Sequence, residues 1–371
     1  MKISCTKNDL MHAVLSVQKA IAIKTTHPVI TGVYFSADQD LLELQATDYD
    51  IGISCTIPAK VEQSGKIVLS GKYLQELVRK LPGDEVNISS DEENKMIRIT
   101  AGSAQFNLLS IPPDEFPVLK PFETDKNIII QDHVFKDLIR KTVFACSSDE
   151  ARPVFTGALL ETDQQSKSIR MVATNTHRLA LKQIKNISEN KPLKMIISAK
   201  ILNELAKIMT SDQQQDIKIS WHKNQVGFQF DKIYMNANLI DGQFPDYNRV
   251  IPSNFETVAT ISTDHLSEAV ERVALLAKDA EYNVIKFQFN KNELMITSNN
   301  PDIGKACETL PIQLTGKEIE IAFNARYIMD ILKNIDHDQI TFSLNSSLSP
   351  ASIQPQDDEE YIYIITPVRT K

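Results

Sequence analysis

A histidine and an arginine stand side by side, with two threonines close by, in the stretch VATNTHRLAL (residues 172–181). A histidine can act as a general base, and Asp241 or Asp246 in DGQFPDY could orient it. That reading predicts a hydrolase centred on His177. The alternative is a binding site in which Arg178 offers bidentate donors to a peptide carbonyl or carboxylate.

Catalytic and metal-binding motifs do not accompany this histidine in the sequence. The chain contains no GxSxG, P-loop or HExxH pattern. The four cysteines (Cys5, Cys55, Cys146 and Cys307) are scattered and form no CxxC pair. We therefore expect reduced thiols, no metal, no cofactor and no catalysis, and the binding interpretation is favoured.

The composition is that of a globular protein with several domains. The chain has 371 residues, of which 42% are hydrophobic and 24% charged, and this length predicts two to four domains. A formal net charge of −8 argues against general coating of nucleic acid. This net charge is still compatible with positive charge confined to one inner face. No apolar run approaches the ~20 residues that span a bilayer, and the first residues do not resemble a secretory signal. We expect a cytoplasmic protein.

Three segments of the chain repeat the same helical pattern. They read LSGKYLQELVRKL, ISAKILNELAKIM and AFNARYIMDILKNI. Lys72, Lys200 and Arg326 coincide at offsets of 128 and 126 residues. Apolar residues follow the i, i+3, i+7 spacing of an amphipathic helix.

Other patterns repeat at the same spacing. PVITGVYF followed by LELQATDYD matches PVFTGALL followed by RMVATNTHR, and NVIKFQF followed by LMITSNNPD is a weaker third match. An opening helix is predicted near Leu10, Phe135 and Leu266, and segments such as KMIRIT, SIRMVA and YIYIIT alternate as strands do. We predict an α+β fold of three repeated domains, each with two helices packed on antiparallel sheet, at residues 1–125, 126–253 and 254–371.

The repeated helices carry a cationic face. Positions seven apart lie on nearly the same line of a helix, so each copy presents two cations with one acid between them. The cations are Lys72, Arg79, Lys200, Lys207, Arg326 and Lys333, and the acids are Glu76, Glu204 and Asp330. If the repeats surround an axis, these faces meet at its centre.

Helix dimensions decide what such an arrangement can enclose. Helices are ~10 Å across, so six of them in a circle leave a hole of only ~9 Å, whereas twelve leave one of ~28 Å. Duplex DNA is about 20 Å wide. A monomer therefore cannot encircle DNA, and a dimer can.

The full length of the chain resembles the bacterial DNA polymerase III beta subunit family, the sliding clamps. The resemblance rests on all three repeats and on ATNTHRLA, LIDGQFPDYNRVIP and the terminal PVRTK. It implies the DNA clamp fold, a head-to-tail homodimer that closes a six-domain ring around double-stranded DNA, and a role in processive DNA replication without catalysis. It also implies a pocket between the second and third domains for short linear peptides. The implied peptide-bearing partners are the DNA polymerase III alpha subunit, the clamp loader, translesion polymerases and mismatch-repair proteins.

Site residues follow from this resemblance position by position. The implied peptide pocket comprises Phe155, Thr174, Thr176, His177, Arg178, Leu179, Pro245, Arg249, Val250, Tyr282, Ile364, Ile365, Thr366, Pro367, Val368 and Arg369. Lys24 falls on the family's basic DNA-contacting loop, while Phe106, Leu275 and Leu276 match apolar positions of the dimer interface. Asn175 replaces an acid usual in the family, so we expect an altered turn there. Thr366 replaces a larger side chain, so we expect a shallower pocket wall.

A repeat scaffold that binds peptides as a monomer, without DNA, is the alternative to a clamp. A monomer at micromolar concentration, or no topological retention on DNA, would favour the scaffold.

Overall fold

The structure is a computed structural model that describes residues 1–91, 95–185, 191–209, 215–277 and 283–369. Its chain forms two compact units. One comprises Met1–Phe135 and Glu204–Leu239, and the other comprises Lys136–Asn203 and Ile240–Lys371. No helix in the described ranges is long and apolar enough to cross a membrane.

The described ranges contain two long helices for each predicted repeat. The six helices are α1 (Lys7–Val17), α2 (Gly71–Lys80), α3 (Asp132–Thr142), α4 (Ala199–Ile208), α5 (Thr263–Ala274) and α6 (Ala325–Leu332). Short 3-10 turns occupy Gln18–Ala20, Pro28–Thr31, Val143–Ala145, Pro153–Thr156 and Tyr247–Val250. α1 begins where the Thr6 hydroxyl accepts from the Asp9 amide at 3.0 Å, and α6 begins where the Asn324 carboxamide accepts from the Arg326 amide at 3.0 Å.

The first unit contains one antiparallel sheet of thirteen described strands, in the order β10-β15-β16-β17-β4-β3-β2-β6-β9-β8-β7-β1-β5. With labels running in chain order over both units, its strands are β1 (Lys2–Thr6), β2 (Gly32–Asp38), β3 (Leu41–Thr47), β4 (Ile51–Pro58), β5 (Lys60–Gln63), β6 (Gly65–Ser70), β7 (Glu85–Asp91), β8 (Met96–Ala101), β9 (Ala104–Ile111), β10 (Asn127–Gln131), β15 (Asp216–His222), β16 (Gln225–Phe230) and β17 (Ile233–Asn238).

The second unit contains two antiparallel sheets among its described residues. The larger has the order β14-β11-β12-β13-β26-β25-β24-β18-β22 and the smaller β21-β20-β19-β23. The strands are β11 (Gly157–Asp163), β12 (Ser168–Thr174), β13 (Arg178–Ile184), β14 (Lys194–Ser198), β18 (Thr257–Ser262), β19 (Val284–Phe289), β20 (Glu293–Asn300), β21 (Gly304–Pro311), β22 (Gln313–Gly316), β23 (Ile319–Asn324), β24 (Gln339–Leu344), β25 (Ala351–Pro355) and β26 (Tyr361–Ile365).

The predicted fold class is confirmed. The apolar stripe of the repeated helices is buried at Leu74, Leu202 and Ile328. The repeated ITG and FTG turns also have a structural cause, because a Cβ on Gly32 would lie 2.8 Å from the Leu69 carbonyl oxygen, and one on Gly157 would lie 2.6 Å from that of Ile197.

Strand register makes the repeats equivalent residue by residue. Phe35, Leu160 and Phe287 pair with Ile67, Met195 and Ile321. These three partners stand at the same offsets, 128 and 126 residues, as the repeated helix cations. Positions in one repeat can therefore be read directly onto the other two.

Strands also pair across the predicted repeat boundaries. β17 of the second repeat pairs with β4 of the first, and β26 of the third pairs with β13 of the second. These two pairings are equivalent, with Met235 opposite Ile53 in one and Tyr363 opposite Ala180 in the other. The same strand pairing between successive repeats, called the seam below, therefore occurs twice within the chain.

A buried ion pair joins the second and third repeats. The Lys182 ammonium lies 2.6 Å from the Asp358 carboxylate, with side chains 9% and 14% exposed. Burial acts to raise the pKa of Asp358, but the hydrogen bond and charge of Lys182 outweigh it, and the net shift is downward. A lowered pKa in the folded state stabilises the fold above the unfolded pKa of about 3.9. That stability is lost as the pH falls through the folded value.

Asp358→Asn is therefore expected to destabilise the protein by about 3 kcal/mol at pH 7, because it leaves a buried lysine unpaired. Its deficit relative to wild type should shrink as the pH falls below about 4. Thermal unfolding from pH 7 to pH 3 measures both effects. Glu256→Gln, which breaks an exposed pair with Lys317, is the control and should change stability by less than about 1 kcal/mol. An unchanged deficit at pH 3 would contradict this account.

Candidate functional site

The turn between β12 and β13 is held by its own polar side chains. The Thr174 hydroxyl donates to the Arg178 carbonyl oxygen at 2.7 Å and accepts from the Thr176 amide at 3.1 Å. The Asn175 carboxamide oxygen accepts from the amides of His177 and Arg178 at 3.0 and 3.1 Å. Thr176 has a φ of 77°, which this bonding supports.

The first repeat makes the same turn between β3 and β4. There the Thr47 hydroxyl donates to the Ile51 carbonyl oxygen at 2.9 Å, and Asp48 accepts from the amides of Asp50 and Ile51. Tyr49, in the place of Thr176, has a φ of 74°. The Asn175 carboxamide oxygen thus accepts the same two backbone bonds as the Asp48 carboxylate. The expectation that Asn175 alters the turn is therefore wrong.

Arg178 is engaged inside the protein. Its Nη1 donates to Asp330 at 2.6 Å and its Nη2 to the Phe144 carbonyl oxygen at 2.5 Å. The guanidinium lies 4.4 Å from the centre of the Tyr327 ring, and the residue is only 7% exposed. The structure does not favour the predicted bidentate donation to a peptide, because the guanidinium is buried and two of its N–H groups already bond within the fold.

An apolar pocket of about 250 Å³ opens beside this turn in the second unit. Its lining residues are Phe155, Thr174, Thr176, His177, Arg178, Leu179, Pro245, Asp246, Tyr247, Val250, Pro350, Ile364 and Thr366. Ten of the sixteen residues predicted for the pocket lie in this set. Asp246, Tyr247 and Pro350 also line it and were not predicted, although Asp246 and Tyr247 directly follow the predicted Pro245 in the sequence.

The floor of the pocket is buried and its rim is open. Leu179 and Ile364 are 3% and 2% exposed and belong to one core cluster with Tyr247, whereas Val250 is 48% exposed. Burial raises the pKa of Tyr247 to about 12, and its hydroxyl donates to Glu161 at 2.5 Å. A buried apolar floor beneath an accessible rim suits the anchoring side chains of a ligand.

The segment that follows β26 is hydrogen-bonded to the turn between β12 and β13. Both the amide and the hydroxyl of Thr366 donate to the His177 carbonyl oxygen at 2.9 Å. At this wall of the pocket Thr366 therefore presents a short side chain, whose hydroxyl is already hydrogen-bonded to the turn.

The other predicted pocket residues do not line this cavity. Ile365 is fully buried, and the exposed Arg249 side chain pairs with Asp246 at 2.9 Å. Val368 and Arg369 line a separate cavity of about 370 Å³. Pro367, which stands in the sequence between Thr366 and Val368, lines neither cavity. Tyr282 falls outside the described residues.

The equivalent space in the first repeat is filled. Gly52 stands where the second repeat has Leu179, and the Leu119 side chain lies 2.5 Å from where a Gly52 Cβ would be. Gln45 bonds both the amide and the carbonyl of Leu119. One repeat thus leaves open a cavity that another closes with its own side chain.

The predicted DNA-facing residues are exposed. Lys24 lies in the loop after Gln18–Ala20. The six predicted helix cations, all with exposed side chains, are Lys72 and Arg79 on α2, Lys200 and Lys207 on α4, and Arg326 and Lys333 on α6 or its C-cap. Lys207 also pairs with Glu204 at 2.8 Å.

The predicted dimer-interface residues are accessible. Phe106 on β9 is 38% exposed, Leu275 directly after α5 is 61% exposed, and Leu276 is half-buried.

No arrangement for general-base catalysis is present at His177 within the described residues. The imidazole is exposed, and Asp246, one of its two proposed orienting acids, pairs instead with Arg249. The fold and the site define a protein made of three repeats, with an apolar pocket of about 250 Å³ in its second unit.

Family models of the DNA polymerase III beta subunit match three successive parts of the chain. The N-terminal domain model matches residues 1–120, the central domain model 129–246 and the C-terminal domain model 248–369. The beta sliding clamp of Staphylococcus epidermidis is 34% identical over 363 residues, with 95% of each chain covered.

Solved structures agree with these matches over whole chains. The DNA polymerase sliding clamp of Bacillus subtilis superimposes with a TM-score of 0.95 at 34% identity, and a Pseudomonas aeruginosa sliding clamp bound to griselimycin with 0.93 at 27%, each covering 100% of both chains. The chain belongs to the bacterial DNA polymerase III beta subunit family, the beta sliding clamps. It is a DNA sliding clamp, a non-catalytic processivity factor of a DNA polymerase.

Proposed function

We propose that partner proteins attach to this clamp by placing short linear peptides in the apolar pocket. The supporting observation is the buried floor of Leu179 and Ile364 beneath the exposed Val250. The griselimycin-bound relative supports a ligand of this kind. The ligands we propose are peptides of the polymerase alpha subunit, the clamp loader, translesion polymerases and mismatch-repair proteins.

The three domains are proposed at residues 1–125, 126–253 and 254–371. The family models begin and end within a few residues of these boundaries. The compact units cut the chain differently, because strand pairs bridge the first and second repeats and the second and third.

Dimerisation is proposed to repeat the internal seam between two chains. β21 lies at the edge of its sheet, and β9 pairs with β6 only at Ser110 and Ile111. These strands are the third-repeat and first-repeat equivalents of β13 and β26, which pair inside the chain. We propose that β21 of each subunit pairs with β9 of the other, closing a head-to-tail ring.

Side chains support the same seam. Inside the chain the Phe144 and Tyr363 rings pack at 6.0 Å. By register and helix position, Leu275 stands where Phe144 does, and Phe106 where Tyr363 does. Leu275 of one subunit and Phe106 of the other would therefore pack together.

DNA would occupy the ring that the dimer encloses, facing Lys24 and the exposed cations of α2, α4 and α6. Modest phosphate attraction suits sliding better than tight contacts, since each neutralised phosphate adds affinity. The setting proposed is the bacterial cytoplasm, in keeping with four free cysteines.

A cross-link at the seam tests this function. The internal pairing of Leu181 with Ile362 places Cys307 opposite Gln105 of the other subunit. In Gln105→Cys, mild oxidation is expected to join most dimers covalently. When the ring is first loaded by the clamp loader and oxidised afterwards, the linked ring should remain on closed circular DNA in high salt and leave when the DNA is cut.

Asn107→Cys is the matched control, two residues along the same strand. Diagonal neighbours lie about 7 Å apart, too far for a disulfide. Linking through position 107 instead of 105 would overturn the register, and a linked dimer that circular DNA does not retain would overturn the ring.

A further inference from the structure

Asp330 lies on the proposed DNA-facing helix, but its carboxylate points toward the pocket. Arg326 and Lys333, on either side of it, are exposed, whereas the Asp330 side chain is 29% exposed. Its Oδ2 accepts from Arg178 Nη1 at 2.6 Å. The acid of α6 is thus drawn away from the helix cations and onto a residue of the pocket wall.

Arg178 depends on this acid for its position. The guanidinium is buried between the Phe144 and Tyr327 rings, 5.6 and 4.4 Å from their centres. A buried guanidinium without a counter-ion is strongly unfavourable. Removing the Asp330 charge therefore weakens the hold on Arg178, which would keep only the Phe144 carbonyl oxygen and the two rings as partners.

The backbone of Arg178 is itself part of the pocket turn. Its carbonyl oxygen accepts from Thr174, and the next residue, Leu179, forms the floor. A second link runs from the Asn175 carboxamide, which donates to the Tyr327 hydroxyl at 3.2 Å. α6 thus holds the turn through both Asp330 and Tyr327.

The first repeat makes the same turn without such a pair. Ile51 stands where the second repeat has Arg178, and the acid equivalent to Asp330 on α4, Glu204, pairs with Lys207 and Lys19. The third equivalent acid, Glu76, is exposed on α2. Formation of the turn therefore does not require the Arg178–Asp330 pair, which points to a role in the pocket.

We propose that Asp330 is a positioning residue of the peptide pocket, acting through Arg178, and that it couples the pocket to the DNA-facing helix. This inference rests on the proposed peptide site. Phosphates near Arg326 and Lys333 would disfavour an outward turn of Asp330 and keep it on Arg178. DNA in the ring then strengthens ligand binding, and the ligand strengthens the affinity for DNA by the same factor.

Calorimetric titration of the dimer with griselimycin tests the positioning role. Asp330→Asn is expected to weaken binding about tenfold, within the range typical of coupled sites. Glu76→Gln, the same charge change at the equivalent position of α2, should change binding less than about twofold. Asp330→Glu, which keeps the charge, should recover most of the affinity, and thermal unfolding with the dimer mass verifies that each variant is folded.

A second measurement tests the coupling between DNA and ligand binding. Rings closed through Gln105→Cys on circular DNA should bind griselimycin about fivefold more tightly than free rings, and Asp330→Asn should abolish that difference. Equal binding by Asp330→Asn and Glu76→Gln would overturn the inference while leaving the proposed pocket intact. Failure of the wild type to bind griselimycin would overturn both.

Discussion

Phe106→Ala is expected to convert the dimer to monomer at micromolar concentration. Truncating a buried aromatic at the centre of an interface typically costs about 2 kcal/mol or more. A head-to-tail ring of two subunits contains two identical seams, so the loss counts twice. About 4 kcal/mol corresponds to a roughly 1,000-fold weaker dimer. Light scattering across a range of concentration measures the change, with a wild-type dimer of twice 41.8 kDa as the reference.

Leu41→Ala is the matched control, because Leu41 is also an exposed apolar residue of the first repeat, at 47%. It should leave the dimer intact. Leu275→Ala should weaken the dimer as Phe106→Ala does, and the double variant should lose less than the sum of the two effects, since the two side chains are proposed to touch. A wild-type monomer at these concentrations would contradict the ring and favour the monomeric scaffold. Full additivity would contradict the proposed contact.

Val250→Asp is expected to abolish ligand binding at the pocket. A carboxylate at the rim would be desolvated by any apolar anchor, with a penalty of at least about 3 kcal/mol, or more than about 100-fold in affinity. Because Val250 is 48% exposed, the fold should tolerate the charge. Titration with griselimycin measures affinity, and primer extension with the polymerase measures processivity, which should fall to the level without a clamp.

Val118→Asp places the same charge on a valine 46% exposed, in the first repeat and outside the pocket. It should bind griselimycin and support extension as the wild type does. Unchanged binding by Val250→Asp would exclude this cavity as the ligand site. Lost binding with unchanged processivity would separate the pocket from polymerase attachment.

The repeat architecture was predictable from the sequence because it rests on local periodicity. Apolar residues at helical spacing in α2, α4 and α6 bury the same stripe three times, as at Leu74 and Leu202. Strand alternation in segments such as SIRMVA predicted β12 for the same reason. Such patterns need no knowledge of distant contacts, since each element must bury one face of its own.

The shape of the pocket could not be predicted in this way. Its walls come from segments far apart in the chain, including Phe155, Val250 and Pro350. Whether this space stays open depends on whether a side chain from elsewhere in the chain fills it. Leu119 fills the space beside Gly52 in the first repeat, whereas Leu179 forms the floor of an open cavity in the second.

By itself, then, the sequence determined three copies of one α+β unit, a cationic helix face in each, and a distinctive His177-Arg178 turn in the second copy alone. Only the tertiary structure decided what Arg178 does. A guanidinium can bond to a ligand or to its own protein, and the outcome depends on whether an acid lies within reach. Asp330, 152 residues further along the chain, lies 2.6 Å away. That distance depends on the pairing of β13 with β26 and on the packing of the third repeat, which no local pattern encodes.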